Sequence, residues 1–357
     1  MIEYVKLKHL KEGDIIAKSL HLLNHQILIG KGNAITPRAL ARLQELGYHG
    51  VYIENNSFTH RELVQVQKPW LDDVDQLDVI YTLVKLFESK PFAHDPYSDV
   101  FPNLLKELAE LVHIICAKIL KLKETDNLIY ELDDMRNNTD WVLYHSLNVC
   151  LLATAIAVEI DIKWKDLLDF SLGALIHDLG KAKFSREFVS TPNLPQEDLD
   201  KLREHPEVLF RFIQIHRAPL PTMYAIWQHH EYLDGSGYPK GLTEKNITIW
   251  GKILALVNTF DNLTHVTPYA DEPMTPSDTL ELLYGDQRFD SELVRVLASI
   301  VAIYPIGSRV LLSNGDKGIV IKNNKQAPLR PMIVVGSQLI DLSSMLLDVT
   351  IKQVLED

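Results

Sequence analysis

The sequence predicts a mainly α-helical protein, in which an all-α helical domain follows a small N-terminal α/β module and precedes a short C-terminal β extension. Three observations lead to this fold class. Between residues 136 and 300 the apolar residues recur at helical spacing, and no run alternates with period two. Residues 1–66 place one short helical pattern between strand-like runs. After residue 304, β-rich runs surround an Asn-Gly turn.

The first 66 residues predict a small accessory module. The segments "QILIGKG" and "GVYIE" are typical of strands. Between them, "TPRALARLQELG" predicts a helix with Thr36 as N-cap, Pro37 in the first turn and Gly47 beyond the end. The module has no obvious catalytic group, so we expect it to dock a protein partner or to regulate the rest of the chain.

Residues 67–135 predict a helical linker region. Its second helix carries apolar residues at helical spacing over residues 104–122. That face could pack within the chain or pair with a second copy in a homodimer, and the sequence leaves both open.

Residues 136–303 predict the all-α domain, and residues 304–357 predict the β extension. In the extension, "SRVLLSNGDKGIVIKNN" places two β-rich runs around Asn314-Gly315, which is a strong hairpin signal. The segment "RPMIVV" is a candidate for a third strand.

Composition narrows the class of function. The net charge of −12 argues against binding to a nucleic acid polymer or to an anionic membrane, although a local site can still bind an anionic small ligand. Cys116 and Cys150 lie in apolar helical patterns, typical of buried thiols. The N-terminus lacks the apolar core of a signal peptide, and the run "VCLLATAIAV" is about half of a membrane span. We therefore expect a cytoplasmic protein with no membrane span.

Histidines on successive predicted helices are the main candidates for chemistry. A lone histidine among apolar residues is more often a hydrogen-bonded core residue than a ligand. Here five histidines and one aspartate recur in a single all-α domain: His145, His177, Asp178, His205, His229 and His230. Imidazole suits Fe, Zn, Ni and Mn, and a carboxylate can bridge two ions. A metal site is therefore the better interpretation.

Two of these candidates come as doublets, His177-Asp178 and His229-His230. Neighbours on a helix point about 100° apart, so we expect the members of a doublet to serve two different ions. Two ions side by side can activate a water and clamp a phosphoryl group. A third pair, His94-Asp95, lies between Pro91 and Pro96, which predicts a solvated loop.

The loop that follows the second doublet, "HHEYLDGSGYPKG", is the most specific stretch of the chain. Gly235 and Gly237 permit positive φ and let the backbone approach a ligand. Asp234 precedes these glycines. Tyr238 and Pro239 should stiffen the loop, and the aromatic ring could form a wall of a pocket for a base.

These motifs resemble the HD-GYP proteins, a branch of the HD phosphohydrolase superfamily. The matching segments are "HSLNV", "HDLGK", "EHP" and "HHEYLDGSGYP", and the resemblance covers roughly residues 136–335. The C-terminal extension is similar to that of the family, and the first 60 or so residues look like a module of some members.

The resemblance implies a cytoplasmic bacterial phosphodiesterase that opens cyclic di-GMP to pGpG, GMP or both. It also implies an HD-type helical bundle with a di-iron or di-manganese centre. The five histidines would be metal ligands, Asp178 would bridge the ions and take part in catalysis, and Lys181 would face a substrate phosphate.

The resemblance assigns the remaining site residues as well. Asn258 takes the position of a further metal ligand, while Glu231 and Asp261 would support the ligands. The substrate-binding loop residues would be Asp234, Gly235, Gly237, Tyr238 and Pro239.

The chain departs from the family pattern at four positions. Asn258 replaces an aspartate that is a metal ligand in the family, and Thr267 replaces an arginine that some relatives use to bind phosphate. Tyr232 replaces a basic residue. Trp141 replaces the glutamate of three-metal members, which predicts at most two ions. Three functions stay open: a slow cyclic di-GMP phosphodiesterase, a module that binds the nucleotide or a protein partner without turnover, and another HD-type phosphohydrolase that acts on a different nucleotide.

Overall fold

The computed structural model describes residues 2–22, 26–48, 50–54, 70–92, 100–130, 141–267, 272–344 and 349–355. The His94-Asp95 pair and the predicted boundaries at 66–67 and 135–136 lie outside these ranges. The predicted fold class is confirmed: a helical domain carries a small α/β module before it and a small sheet after it.

The N-terminal module contains β1 (Ile2–Lys6), β2 (Leu20–His21), β3 (Ile27–Ile29), α1 (Pro37–Glu45) and β4 (Gly50–Glu54). Strand β1 pairs antiparallel with β4, and β2 with β3. The predicted helix start is confirmed, since Thr36 Oγ1 accepts a hydrogen bond from Ala39 N at 3.1 Å. The module has its own apolar core around Ile16, Leu20 and Leu43. Sequence reasoning missed β1 and β2, which are short or rich in charge.

Helices α2 (Asp73–Glu88) and α3 (Val100–Glu124) form the region predicted as a linker. Helix α3 packs against α2, α4 and α5. Leu108, Ile115 and Ile119 of α3 are fully buried in the main core. The apolar face at residues 104–122 is thus used within the chain, which is the first of the two alternatives that the sequence left open.

The rest of the helical domain is built around α4. Its helices are α4 (Trp141–Glu159), α5 (Trp164–Ile176), α6 (Arg186–Val189), α7 (Gln196–Leu202), α8 (His205–Ile215), α9 (Leu220–Gln228), α10 (Ile249–Thr264), α11 (Pro276–Gly285) and α12 (Ser291–Ile300). Helix α4 contacts α2, α3, α5, α10 and α12. Among the helices that the structure describes, it alone is long and apolar enough to cross a membrane, but 89% of that window is buried inside the fold. Its hydropathy is therefore that of a central core helix.

The C-terminal part is a five-stranded antiparallel sheet in the order β8-β7-β6-β5-β9. The strands are β5 (Arg309–Leu312), β6 (Lys317–Lys322), β7 (Met332–Val335), β8 (Gln338–Asp341) and β9 (Ile351–Val354). The predicted hairpin is confirmed, with Gly315 at φ +90° in the turn between β5 and β6. One apolar core extends from Trp70 to Leu342, so the packing shows no break at residue 303.

Candidate metal centre

The predicted metal ligands converge from the ends of three helices and from within α4 and α10. His177 follows the last residue of α5, His205 begins α8, and His229 follows the last residue of α9. His145 lies in α4 and Asn258 in α10. Helix ends leave backbone carbonyls without partners in the helix, and these carbonyls orient several of the side chains.

Two groups of ligand atoms share Asp178. One group contains Asp178, His205, His229 and His230, and the other contains His145, His177 and Asp178. Asp178 Oδ1 lies 3.2 Å from His205 Nε2 and 3.8 Å from His229 Nε2. Asp178 Oδ2 lies 3.6 Å from His177 Nε2 and 3.7 Å from His145 Nε2. Each oxygen of one carboxylate therefore faces a different set of imidazoles.

The prediction that the two members of a doublet bind different ions is wrong for His229-His230. Both residues fall in the same group, with their ring centroids 4.1 Å apart. The reason is that α9 ends at Gln228, so the two histidines are not successive residues inside a helix. The two-group arrangement arises instead from the shared Asp178.

Three imidazoles are fixed by the same backbone contact. Nδ1 of His177, His205 and His229 donates to the carbonyl oxygen three residues earlier, at 2.8, 2.7 and 2.7 Å. This contact fixes the tautomer and leaves the Nε2 lone pair toward the centre. Nε2 of His205 and His229 are only 3.2 Å apart, and His177 Nε2 is buried without a hydrogen-bond partner in the described residues. Converging lone pairs of this kind fit a bound cation.

Burial keeps the imidazoles neutral, which is the form that binds metal. Burial lowers the pKa of His177 to about 4 and also lowers that of His205. The pKa values of His229 and His230 lie well below the usual range for the same reason. These residues are therefore available as ligands at neutral pH without the loss of a proton.

Asp178 is held as a carboxylate. Burial alone would raise its pKa, but the charge of Lys181 and the contacts with His177 and His205 outweigh burial and hold the pKa well below its usual range. Lys181 Nζ lies 2.6 Å from Asp178 Oδ2. The ammonium group thus compensates the buried negative charge.

His145 is held differently from the other histidines. Its Nδ1 lies 2.6 Å from Asp261 Oδ2, and its Nε2 lies 2.9 Å from Asn258 Oδ1. Asp261 is therefore placed to orient the imidazole. Sequence reasoning missed His265, which is buried with its Nδ1 3.2 Å from Asp261 Oδ1. The available signal was its spacing four residues after Asp261, directly beyond the end of α10.

Gly180 permits a close approach that places His205. A Cβ at this position would lie 2.1 Å from the His205 carbonyl oxygen, so any side chain would push the two segments apart. The "HDLGK" turn therefore packs directly on the first residue of α8.

The glycine-rich loop is tied to the second doublet. Glu231 is buried, and its carboxylate accepts from the backbone N–H groups of Lys240 and Leu242, both at 2.7 Å. A Cβ at Gly237 would lie 2.4 Å from the His230 carbonyl oxygen, which explains the glycine. The Tyr238 ring stacks on the His230 ring at 4.5 Å. The loop thus covers one side of the centre.

Other predicted loop residues shape the turn. The exposed Asp234 accepts from Ser236 N and Ser236 Oγ, at 2.9 and 2.7 Å. Gly235 has φ +83°, and a half-buried Pro239 follows Tyr238. These contacts make the turn self-supporting.

Three residues that depart from the family pattern, Trp141, Thr267 and Tyr232, lie in defined contacts or are buried. The Trp141 ring centroid lies 6.0 Å from that of His145, and Lys181 Nζ lies 5.4 Å from the Trp141 centroid. The apolar ring thus occupies the space beside His145. Thr267 is buried, and Tyr232 packs beneath the Arg288 guanidinium at 4.9 Å.

Comparison with known proteins shows which domain family the helical segment matches. The model of the HD domain family matches residues 121–293, which contain every predicted metal ligand and the glycine-rich loop. This match covers just under half of the chain, and it agrees with the resemblance of the sequence motifs to the HD-GYP proteins.

Three proteins that are similar to this chain are named as phosphodiesterases of cyclic dinucleotides. A cyclic di-GMP phosphodiesterase of Pseudomonas aeruginosa is 25% identical over 64% of this chain and 55% of its own length. The corresponding enzyme of Borreliella burgdorferi is 22% identical over 55% of this chain and 52% of its own. A 3'3'-cGAMP-specific phosphodiesterase of Vibrio cholerae is 30% identical over 35% of this chain and 27% of its own. The chain spans about half the length of the first two.

Among solved structures, an HDG"Y"P protein from Bdellovibrio bacteriovorus matches 83% of this chain and 98% of its own. The identity is 19% and the TM-score is 0.49.

Proposed function

We propose that the protein hydrolyses cyclic di-GMP to pGpG, GMP or both at a centre that holds two divalent ions. The observation that carries the proposal is the placement of Asp178, whose Oδ1 lies 3.2 Å from His205 Nε2 and whose Oδ2 lies 3.6 Å from His177 Nε2. Such a carboxylate is suited to bridge two ions. The relatives named as cyclic di-GMP phosphodiesterases support the choice of substrate.

The proposed donor set consists of neutral imidazoles, one carboxylate and one amide oxygen, which suits Fe or Mn. Around the shared Asp178, the first ion would be held by His145, His177 and Asn258, and the second by His205, His229 and His230. When bound there, two divalent ions would lower the pKa of a water and neutralise charge on phosphate oxygens.

Lys181 is the proposed phosphate-facing cation. Its ammonium contacts Asp178, and its side chain is 12% exposed against 1% for Asp178, so the cation is the more accessible member of the pair. A compact ammonium charge suits that position. The loop residues Asp234, Gly235, Gly237, Tyr238 and Pro239 are proposed to form one wall of the nucleotide pocket, because the loop is fixed to His230.

A second function, nucleotide binding without turnover, is favoured by Asn258. Its amide oxygen lies 2.9 Å from His145 Nε2 and brings no charge to that ligand position. An ion beside His145 would therefore be held less strongly than by a carboxylate. With that ion absent, the protein would act as an effector that binds cyclic di-GMP or a protein partner.

Metal content and turnover separate the two functions. The protein is purified anaerobically, iron and manganese are measured per chain, and cleavage of cyclic di-GMP and of 3'3'-cGAMP is assayed with each metal. We expect two ions per chain, preference for cyclic di-GMP, and loss of turnover in His177→Ala. Tight nucleotide binding with no turnover under either metal would establish the effector instead.

Asn258→Asp tests the weakened ligand. The new carboxylate should raise metal affinity by about tenfold, which corresponds to about 1.4 kcal/mol, and should increase turnover. Asn262→Asp is the matched control, because Asn262 Nδ2 lies 3.4 Å from Asn258 Oδ1 on the next turn of α10. Equal gains from both variants would show that added charge, and not a restored ligand, is responsible.

The role of the N-terminal module and the location of the protein are proposals of the same kind. We propose that the module, which has a separate apolar core, binds a protein partner, and that the protein works in the cytoplasm. Pull-down with the intact chain and with a Leu43→Asp variant of that core tests the first, and cell fractionation tests the second.

A further inference from the structure

Three neighbouring side chains connect the histidine cluster with the surface. The ring planes of His230 and Tyr238 are 23° apart, with centroids 4.5 Å apart. The guanidinium carbon of Arg203 lies over the Tyr238 ring, 5.5 Å from its centroid. Of the three side chains, Arg203 is the exposed one.

The backbone fixes Arg203 relative to the centre. Arg203 caps the C-terminus of α7, where its N–H donates to the Leu199 carbonyl. It precedes His205, the first residue of α8, by two positions. The position of the guanidinium is thus set by the same short segment that carries a proposed metal ligand.

The donors of Arg203 are available to a ligand. Its side chain is 53% exposed, and its ion pair with Asp200, which is 60% exposed, is long at 3.6 Å. Exposed pairs of this kind contribute little stability. Contact with an aromatic ring uses the face of the guanidinium and leaves its N–H edge free for two parallel hydrogen bonds to a phosphate.

We propose that Arg203 binds the second phosphate of a cyclic dinucleotide, the one that is not cleaved. This inference rests on the proposed function. A cyclic dinucleotide carries two phosphates in one ring, and only one of them can lie at the histidine cluster at a time. The other carries a full negative charge beside the centre, in a chain whose net charge is −12. Arg203 supplies a local positive charge beside Tyr238, whose ring stacks on that of His230.

Arg203→Ala tests this assignment with two substrates. The KM and the dissociation constant for cyclic di-GMP should rise by about tenfold or more, as expected for a lost charged hydrogen bond. The kcat, the metal content and the hydrolysis of bis(p-nitrophenyl) phosphate, which has one phosphate, should stay unchanged. Arg203→Lys should recover part of the affinity. The matched control is Arg295→Ala, since Arg295 is 60% exposed and pairs with Glu292 at the same spacing.

Three results would overturn the assignment. The first is that Arg203→Ala has the same kinetic and binding constants as Arg295→Ala. The second is that Arg203→Ala slows hydrolysis of both substrates equally or loses metal, and the third is that it loses affinity for cyclic di-GMP but not for cyclic di-AMP. The second would indicate a structural role through Tyr238, and the third would indicate contact with the base. If the wild type binds cyclic di-GMP without turnover, the proposed enzyme fails, and the dissociation constants still decide the role of Arg203. If it binds no cyclic dinucleotide, both proposals fail.

Discussion

Acidification should destabilise the metal-free protein through His177. Burial lowers the pKa of this imidazole from 6.5 to about 4. Between these two pH values the unfolded chain binds a proton that the folded chain does not, so the free energy of unfolding falls as the pH falls. The stability that depends on neutral His177 is therefore fully present above pH 6.5 and is lost as the pH approaches 4.

The two pKa values set the size of the effect. Linkage gives a loss of about 2 kcal/mol between pH 7.5 and pH 5 for His177 alone. Burial also lowers the pKa values of His205, His229 and His230, so the whole cluster should lose more. A bound ion would compete with the proton, and the measurement therefore requires protein treated with a chelator.

Urea unfolding at the two pH values measures the loss. The free energy of unfolding of the wild type should fall by about 2 kcal/mol more than that of His177→Leu, which has no imidazole to protonate at this position. His113→Leu, which removes an exposed imidazole, controls for the loss of a histidine in general. If His177→Leu loses stability as steeply as the wild type, burial does not hold this imidazole neutral, and the argument for a ready metal ligand is refuted.

Two further substitutions test the supports of the centre. Gly180→Ala should lower the free energy of unfolding by about 1–3 kcal/mol and weaken metal binding, because its Cβ would overlap the His205 carbonyl oxygen. The control is Gly285→Ala, which should change neither quantity because a Cβ there meets no atom within 4 Å. Thermal unfolding and metal titration of the two variants measure these effects. Equal stability and equal metal affinity would contradict the need for a close approach of residue 180 to the His205 carbonyl. Glu231→Gln should cost about 1–3 kcal/mol and slow turnover, because one of two loop amides loses its carboxylate acceptor. The exposed Glu244→Gln is its control in the same unfolding and rate assays, and equal stability of the two variants would show that the loop does not need this clamp.

Much of the fold could be predicted because its signals are local. The start of α1 depends on Thr36 and Pro37, and the β5–β6 hairpin depends on the turn at Asn314-Gly315, so a few neighbouring residues suffice. The role of α3 could not be decided, since an apolar face looks the same whether it packs inside the chain or on a second copy. Only contacts distant in sequence, from α3 to α4 and α5, made that choice.

The site shows the same division between local and distant information. The identities of the candidate ligands follow from residue type and motif, but their grouping does not. His229 and His230 were assigned to different ions on the assumption of a continuous helix, and the end of α9 at Gln228 removes that assumption. His265 was missed because its contact with Asp261 gains meaning only once Asp261 is known to hold His145.

The charge of the centre affects both the strength of metal binding and the choice of ligand. Asp178 is the one carboxylate in the two ligand groups, and Lys181 already offsets its charge. With an amide at Asn258, the two ligand groups supply one carboxylate to balance the two ions of the proposed centre. A dianionic nucleotide would supply it, so nucleotide and metal should each raise the affinity for the other by the same factor. The amide at Asn258, which would weaken metal binding in the absence of nucleotide, would then make metal binding depend on the presence of the substrate.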